Sequence, residues 1–196
     1  MSQQRNYKIK TYQLIMMVKR GYSIPDNEKN IWNRIDGQIK DFDSMSNVYI
    51  KGNKKAFVFY IEDAKLDAVR QKLVSVETDT TNKKETDDII IITKSEKVDN
   101  KISQTHKNIQ IFNDKSFLYD PTEHYLNPKF QLLSEEEKNT FLKDNNLTVK
   151  HLPGIKKHDP ISMYYGAKVD DVFKIYRKSL FYYVVNDSIA YRIVVS

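Results

Sequence analysis

The run "IIIIT" at residues 89–93 constrains the fold of this chain more than any other stretch of its sequence. Successive side chains of a strand point to opposite faces of a sheet, so four consecutive isoleucines need apolar cover on both faces. A short, wholly apolar and β-branched run is typical of such a buried strand. The run therefore predicts a sheet in the first part of the chain, with this strand covered on both faces.

The segments before that strand predict two helices. Residues 7–20 indicate a helix that stops at Gly21, and Asp26 is suited to cap a second helix. In the second helix, isoleucines recur every four residues beside Trp32, which we expect to be a buried packing residue. These isoleucines are Ile31, Ile35 and Ile39.

A β-hairpin is predicted next, because two strand-like runs are separated by a turn at Gly52-Asn53. Apolar residues with helical spacing then indicate a helix over 63–74, and a polar loop leads into the buried strand. A short helix near 98–106 and a strand at 109–112 complete the first part. This order of elements predicts an α/β domain with a small mixed sheet.

The second part of the chain begins at a proline-containing, weakly periodic segment over 119–130, so we predict domains of residues 1–119 and 120–196. Ser134 and Glu137 form a capping box for a helix. Asp159 and Pro160 are suited to start another helix, which Gly166 would end. A strand at 172–177 and a hairpin turn at 186–188 follow. The prediction is an α+β chain whose C-terminal domain is a small α+β unit with a β-hairpin.

The composition excludes several classes of chemistry. The chain has no cysteine, which excludes disulfides, thiolate catalysis and cysteine-based zinc sites. Its four histidines lack the spacing of a helical metal pair, and neither a glycine-rich phosphate loop nor a nucleophile elbow is present. We therefore expect no catalytic residues of its own, no cofactor and no metal. The apolar runs are also far shorter than the roughly 20 residues of a membrane span, so we expect no membrane partner.

The distribution of charge favours a polyanionic partner for the first part of the chain. Residues 1–118 hold 21 Lys and Arg against 16 Asp and Glu, whereas residues 119–196 hold 11 against 10. An excess of basic residues is typical of proteins that contact nucleic acid. The alternative is a general compositional bias, because Lys outnumbers Arg by 26 to 6.

An enzymatic alternative rests on acidic residues around the hairpin. Asp41 and Asp43 precede its first strand, and Asp63 and Lys65 follow its second strand. Metal-dependent nucleases of the restriction-enzyme kind hold a metal with such carboxylates and place a lysine near the attacked phosphate. Because Asp63-Ala64-Lys65 begins after the second strand has ended, Asp63 is better explained as the cap of the following helix. A free nuclease or DNA-binding protein, and a scaffold unrelated to transcription, stay open as alternatives.

The second domain resembles the assembly module of one RNA polymerase subunit family. This family comprises the fifth subunit shared by the eukaryotic nuclear RNA polymerases and its archaeal counterpart. The resemblance covers about 70 residues and is carried by His124, Leu126, Pro128-Lys129, Ser134 with its acidic run, Leu152-Pro153-x-Ile155, Asp159-Pro160, Gly166-Ala167-Lys168, Asp171-Val172, Lys174-Ile175, Arg177-Lys178-Ser179 and Tyr191-Arg192.

Membership of this family implies a non-catalytic subunit of a DNA-dependent RNA polymerase, present in a single copy. The C-terminal domain would dock on the largest subunit among the other polymerase subunits, and the N-terminal domain would form part of the jaw along downstream duplex DNA, which it would contact without sequence preference. The implied location is the nucleus for a cellular polymerase, or the host cytoplasm and virion for one encoded by a large DNA virus. The residues expected to face DNA are Lys94, Lys97, Lys101 and Lys107, and those expected to dock are Leu152, Pro153, Ile155, Asp159, Pro160, Tyr165, Gly166, Lys174, Arg177, Tyr191 and Arg192.

Two departures from the family pattern bear on docking. Asp170 stands where the family usually has glycine in the turn before a strand, so we expect the shape of that turn to change. The stretch between Ser179 and Tyr191 is a few residues longer than usual, which implies a remodelled hairpin.

Overall fold

A computed structural model describes residues 2–32, 37–62, 71, 88–95, 109–177 and 188–196 of the chain. It divides the chain into two compact units, Met1–Tyr119 and Asp120–Ser196, here called unit 1 and unit 2. The predicted α+β class is confirmed, since each unit combines helices with a four-stranded sheet. Among the helices of the described residues, none is both long enough and apolar enough to cross a membrane.

Unit 1 has a mixed sheet in the strand order β1-β2-β3-β4. The first two strands form the predicted antiparallel hairpin, and β2, β3 and β4 run parallel to one another. The bounds are α1 Ser2–Lys19, α2 Asp26–Trp32, β1 Asn47–Lys51, β2 Lys54–Ile61, β3 Asp88–Thr93 and β4 Ile109–Asn113.

Strand β3 contains the isoleucine run and lies between two parallel neighbours. Residues 89–93 are all buried, so the prediction of a strand covered on both faces is confirmed. Helix α1 also buries apolar side chains, among them Ile9, Leu14 and Met17.

The two N-terminal helices differ from the prediction at their ends. Helix α1 begins at Ser2 rather than near residue 7, and it stops before Gly21, whose φ of +84° is the left-handed conformation that glycine adopts without strain. Helix α2 is described only to Trp32, and Ile39 lies in extended chain, so a helix through all three isoleucines is wrong. The side chain of Trp32, the predicted helices 63–74 and 98–106, and Ile35 lie outside the described residues.

Unit 2 has a second sheet in the order β5-β7-β8-β6. Strand β7 is antiparallel to both β5 and β8, whereas β6 and β8 are parallel. The first arm of the predicted 186–188 hairpin lies outside the described residues; within them, β8 pairs directly with β7. The bounds are β5 Lys129–Leu132, α3 Glu135–Asp144, β6 Gly154–Lys156, α4 Pro160–Tyr165, β7 Val172–Arg177 and β8 Ser188–Val195.

The main apolar cluster of unit 2, here called its core, lies on one face of this sheet, while Val172 and Ile193 are buried on the other face. Phe173 and Ile175 of β7 pack there with the buried side chains of Ile155, Ala167 and Val194. Partly buried apolar residues surround this cluster, namely Phe130, Leu132, Tyr165 and Ala190.

Candidate functional site

The segment before β6 divides the predicted docking residues between surface and core. Pro153 is exposed, and its carbonyl accepts a hydrogen bond of 3.0 Å from the Ile193 N–H. Leu152 is half-buried, whereas Ile155 is buried in the core of unit 2. Ile155 therefore stabilises the unit, and only its neighbours are placed to meet a partner.

Helix α4 owes its position to four of the predicted docking residues. The Asp159 carboxylate accepts the Ile161 N–H at 2.9 Å, and Pro160 occupies the first turn, so the predicted start of the helix is confirmed. Gly166 ends the helix in the left-handed conformation, with φ of +68°. The Tyr165 hydroxyl donates to the Phe130 carbonyl at 3.0 Å, which ties α4 to strand β5.

The sheet separates the other four predicted docking residues onto two faces. Lys174 and Tyr191 are cross-strand neighbours on the face away from the core. Tyr191 stacks on Phe141 of α3 with ring centroids 3.7 Å apart. Arg177 is exposed and Arg192 approaches the Gly154 carbonyl at 3.4 Å, both on the opposite face. The predicted set is therefore not one continuous patch.

Unit 2 also has an exposed apolar turn at residues 124–127, and the predicted docking set did not include it. Tyr125 is 85% exposed and Leu126 is 60% exposed. The His124 ring stacks on Tyr125 at 5.0 Å, and the Asn127 N–H donates to the His124 carbonyl at 2.8 Å, which closes the turn. Exposed large apolar side chains held in a fixed turn are typical of a surface that a partner covers. The available sign of this surface in the sequence was the pair of adjacent apolar residues, Tyr125 and Leu126, in a weakly periodic segment.

Of the four lysines predicted to face DNA, the structure describes only Lys94. Its ammonium group pairs with the Glu62 carboxylate and lies 4.5 Å from the centre of the Phe42 ring. Lys94 is therefore held by neighbours within unit 1, which reduces the charge it presents to a distant phosphate. Lys97, Lys101 and Lys107 lie outside the described residues.

The acidic residues of the nuclease alternative serve a turn in the described structure. The Asp41 carboxylate accepts the Asp43 N–H at 3.1 Å, and both side chains are exposed. Asp63 and Lys65 lie outside the described residues. Within the described ranges, no three His, Asp or Glu side chains are grouped so as to hold a metal ion.

A buried ionic network in unit 1 was not anticipated from the sequence. Lys10 of α1 is 1% exposed, and its ammonium lies 2.6 Å from a carboxylate oxygen of Glu28 in α2. It also donates to the Met45 carbonyl at 2.7 Å and to the Tyr49 hydroxyl at 2.9 Å. The Tyr49 hydroxyl in turn donates to Glu28 at 2.5 Å. This network joins α1, α2 and β1.

The surroundings of this network shift the protonation equilibria of its members. Burial lowers the pKa of the Lys10 ammonium, while the adjacent Glu28 carboxylate opposes that shift. Burial also raises the pKa values of the Tyr49 and Tyr60 hydroxyls, and the charge of Glu28 adds to both effects. In the sequence, the one signal of a buried cation was the position of Lys10 between the apolar residues Ile9 and Leu14.

Comparison with known proteins adds an independent test. A model of the C-terminal domain of RNA polymerase Rpb5 matches residues 119–194. The archaeal DNA-directed RNA polymerase subunit Rpo5 of Sulfurisphaera tokodaii is 40% identical over 77 residues, which cover 39% of this chain and 88% of that protein. Its counterpart from Archaeoglobus fulgidus is 44% identical over 73 residues, or 37% of this chain and 92% of that protein.

A longer relative extends the similarity into unit 1. Subunit 5A of the DNA-directed RNA polymerase V of Arabidopsis thaliana is 27% identical over 189 residues, which cover 90% of this chain and 83% of that protein. The resemblance read from the sequence is therefore confirmed. The chain belongs to the family of RNA polymerase subunit 5, the Rpb5 and Rpo5 proteins.

Proposed function

We propose that the chain is a non-catalytic subunit of a multisubunit DNA-directed RNA polymerase, present in one copy. The observation that carries this proposal is the family match over residues 119–194, which falls on unit 2, Asp120–Ser196. The compartment is then that of the polymerase that the chain serves.

Unit 2 docks on the largest polymerase subunit in this proposal. The exposed turn with Tyr125 and Leu126 supports it, because large apolar side chains in a fixed geometry are suitable anchors for an interface. Asp159, Gly166 and Ile155 act indirectly, since they fix α4 and β6 beneath the docking surface.

Unit 1 forms part of the jaw beside downstream DNA. The excess of Lys and Arg in residues 1–118 supports this role, because phosphate contacts need cations and do not require base recognition. We therefore expect contacts with duplex DNA to be independent of sequence.

The test is co-purification of the tagged full chain from its native source, with the associated proteins identified. We expect the largest RNA polymerase subunit to be recovered with it. A double Tyr125→Ala and Leu126→Ala variant should reduce that recovery by about tenfold or more, because interface anchors contribute roughly 2 kcal/mol or more when they are central. Ile50→Ala, which removes an apolar side chain 54% exposed in unit 1, is the matched control.

Two outcomes would contradict the proposal. Recovery of the wild-type chain without polymerase subunits would exclude the assignment itself. Recovery of the polymerase with both variants at the wild-type level would retain the assignment and exclude the 124–127 turn from docking.

A further inference from the structure

The strands of unit 2 segregate charge by sign. Strands β5 to β8 contain five basic residues and no acidic residue, although residues 119–196 as a whole are nearly balanced at 11 basic against 10 acidic. The acidic residues of the unit lie in its helices and connecting segments. The basic residues of the strands are Lys129, Lys156, Lys174, Arg177 and Arg192.

Two of these lysines surround one aromatic ring on the sheet face away from the core. Lys129 of β5 is the cross-strand partner of Tyr176, and its ammonium lies 5.9 Å from the ring centre. Lys174 precedes Tyr176 by two residues on β7, and its ammonium lies 5.2 Å from the same centre. Both side chains therefore share a face with the ring, which attracts each cation through its π-electrons. Lys129, Gln131, Lys174 and Tyr176 are here called the basic strip.

The fourth member of the basic strip adds further hydrogen-bond donors. The Tyr176 hydroxyl donates to the side-chain carbonyl of Gln131 at 2.8 Å, so the amide N–H groups of Gln131 stay available as donors. No carboxylate among the described residues pairs with Lys129 or Lys174. In the acidic run that follows β5, Glu137 accepts from the Ser134 N–H at 2.8 Å, and Glu135 pairs with Lys138 at 2.7 Å.

An apolar neighbour completes the surface beside the strip. Ile189 of β8 is the cross-strand partner of Tyr176 and is 52% exposed. Toward the other end of the same face, Tyr191 is covered by Phe141 of α3. Among the described residues, the remaining part of this face combines hydrogen-bond donors, two positive charges and one apolar contact.

We propose that the basic strip binds an acidic polypeptide segment, with carboxylates at Lys129 and Lys174 and an apolar side chain against Ile189. Charge complementarity carries this choice, because the strip offers donors and cations without an acidic group of its own. Single-stranded nucleic acid fits less well, because base stacking needs a free aromatic face and both ammonium groups lie against the Tyr176 ring. The proposal rests on the surface alone and holds whichever subunit or factor supplies the segment.

The test measures binding of a fluorescein-labelled peptide with alternating Glu and Leu to the purified full chain by fluorescence anisotropy. A double Lys129→Glu and Lys174→Glu variant should bind about tenfold more weakly at low salt, since each reversal replaces an attraction to the peptide carboxylates by a repulsion. Arg177→Glu reverses one charge on the same strand as Lys174 but on the opposite face, and it should leave the affinity within about twofold. Thermal unfolding checks that each variant is folded, and Lys129→Gln with Lys174→Gln replaces the reversal if it is not.

Three outcomes would overturn the proposal. An equal loss with Arg177→Glu would show that only net charge matters. Tighter binding of an oligothymidylate than of the peptide, with loss in the double variant, would make the strip a nucleic-acid surface. Absence of peptide binding at low salt would make both lysines part of a solvated face.

Discussion

The two units place their lysine side chains in different surroundings. Unit 1 buries a lysine and a glutamate together, with Lys10 and Glu28 at 2.6 Å. Unit 2 packs Phe173, Ile175 and Val194 into an apolar core, and its sheet displays lysines on the far face. The packing of unit 1 therefore depends on keeping both members of an ion pair. In unit 2, the sheet lysines stay available for binding.

This difference determines how each unit fails when one residue changes. Removal of one member of a buried ion pair leaves the other charge in a medium that solvates it poorly. Removal of a surface charge from unit 2 leaves no unpaired buried charge behind, because water solvates the site. Removal of a lysine charge is therefore expected to be costly at Lys10 in unit 1 and nearly neutral for stability at the sheet lysines of unit 2.

The largest expected effect is that of Lys10→Met. The substitution leaves the Glu28 carboxylate buried without its cation, so we expect a loss of about 3–5 kcal/mol in the free energy of unfolding. Urea denaturation followed by Tyr and Trp fluorescence measures this loss. The double variant Lys10→Met with Glu28→Leu is the control and should recover most of the stability. A single-variant loss below about 1 kcal/mol would mean that the pair is solvated and would remove the contrast between the units.

Alkaline pH should distinguish the units next. The raised pKa values of Tyr49 and Tyr60 keep these hydroxyls protonated in the folded state above pH 10.0, where tyrosines of the unfolded chain ionise. The folded state then binds more protons, so stability falls as pH rises, by up to about 1.4 kcal/mol per pH unit for each tyrosine. The lowered pKa of Lys10 acts with the opposite sign, but only below its unfolded value of 10.5.

Unfolding measured at several pH values above 10.5 tests this expectation. In Tyr60→Phe, stability should fall less steeply with pH, by the contribution of one tyrosine, since phenylalanine does not titrate. An identical slope in wild type and Tyr60→Phe would contradict the buried-hydroxyl interpretation.

A smaller effect is expected at the start of α4. Asp159→Ala removes the acceptor for the Ile161 N–H, which should lower the stability of unit 2 by about 1 kcal/mol. Asp159→Asn keeps an acceptor and should lose much less. Thermal unfolding of the full chain reports both. A change indistinguishable from zero for Asp159→Ala would show that the cap does not stabilise the helix, and would leave Asp159 as a residue for partner contact.

The smallest expected effect has the opposite sign. Asp170 has a φ of +74°, a conformation that glycine adopts at little cost, so Asp170→Gly should stabilise unit 2 by about 0.5 kcal/mol, measured by thermal unfolding. Asp171→Gly is the matched control and should destabilise, because the Asp171 carboxylate accepts the Lys168 N–H at 2.7 Å. Destabilisation by Asp170→Gly would show that the aspartate side chain contributes more than the strain of its backbone.

Local features were predictable from the sequence because their interactions span few residues. The capping box of Ser134 and Glu137 joins groups three positions apart, and the Asp159 cap joins groups two positions apart. Such contacts need no knowledge of the fold. The burial of residues 89–93 was equally predictable, because four isoleucines leave a strand no polar face.

The sequence by itself therefore determined the caps of α3 and α4, the first hairpin and the buried central strand. Tertiary structure alone decided the partners of Lys10, which come from α2 and β1, up to 39 positions away in the chain. It also decided that Lys129 and Lys174 meet at one ring, because β5 pairs with β7 across two intervening helices and a strand. Charges that are distant in sequence become neighbours only when strand pairing fixes register and face, and periodicity within one segment carries no record of that pairing.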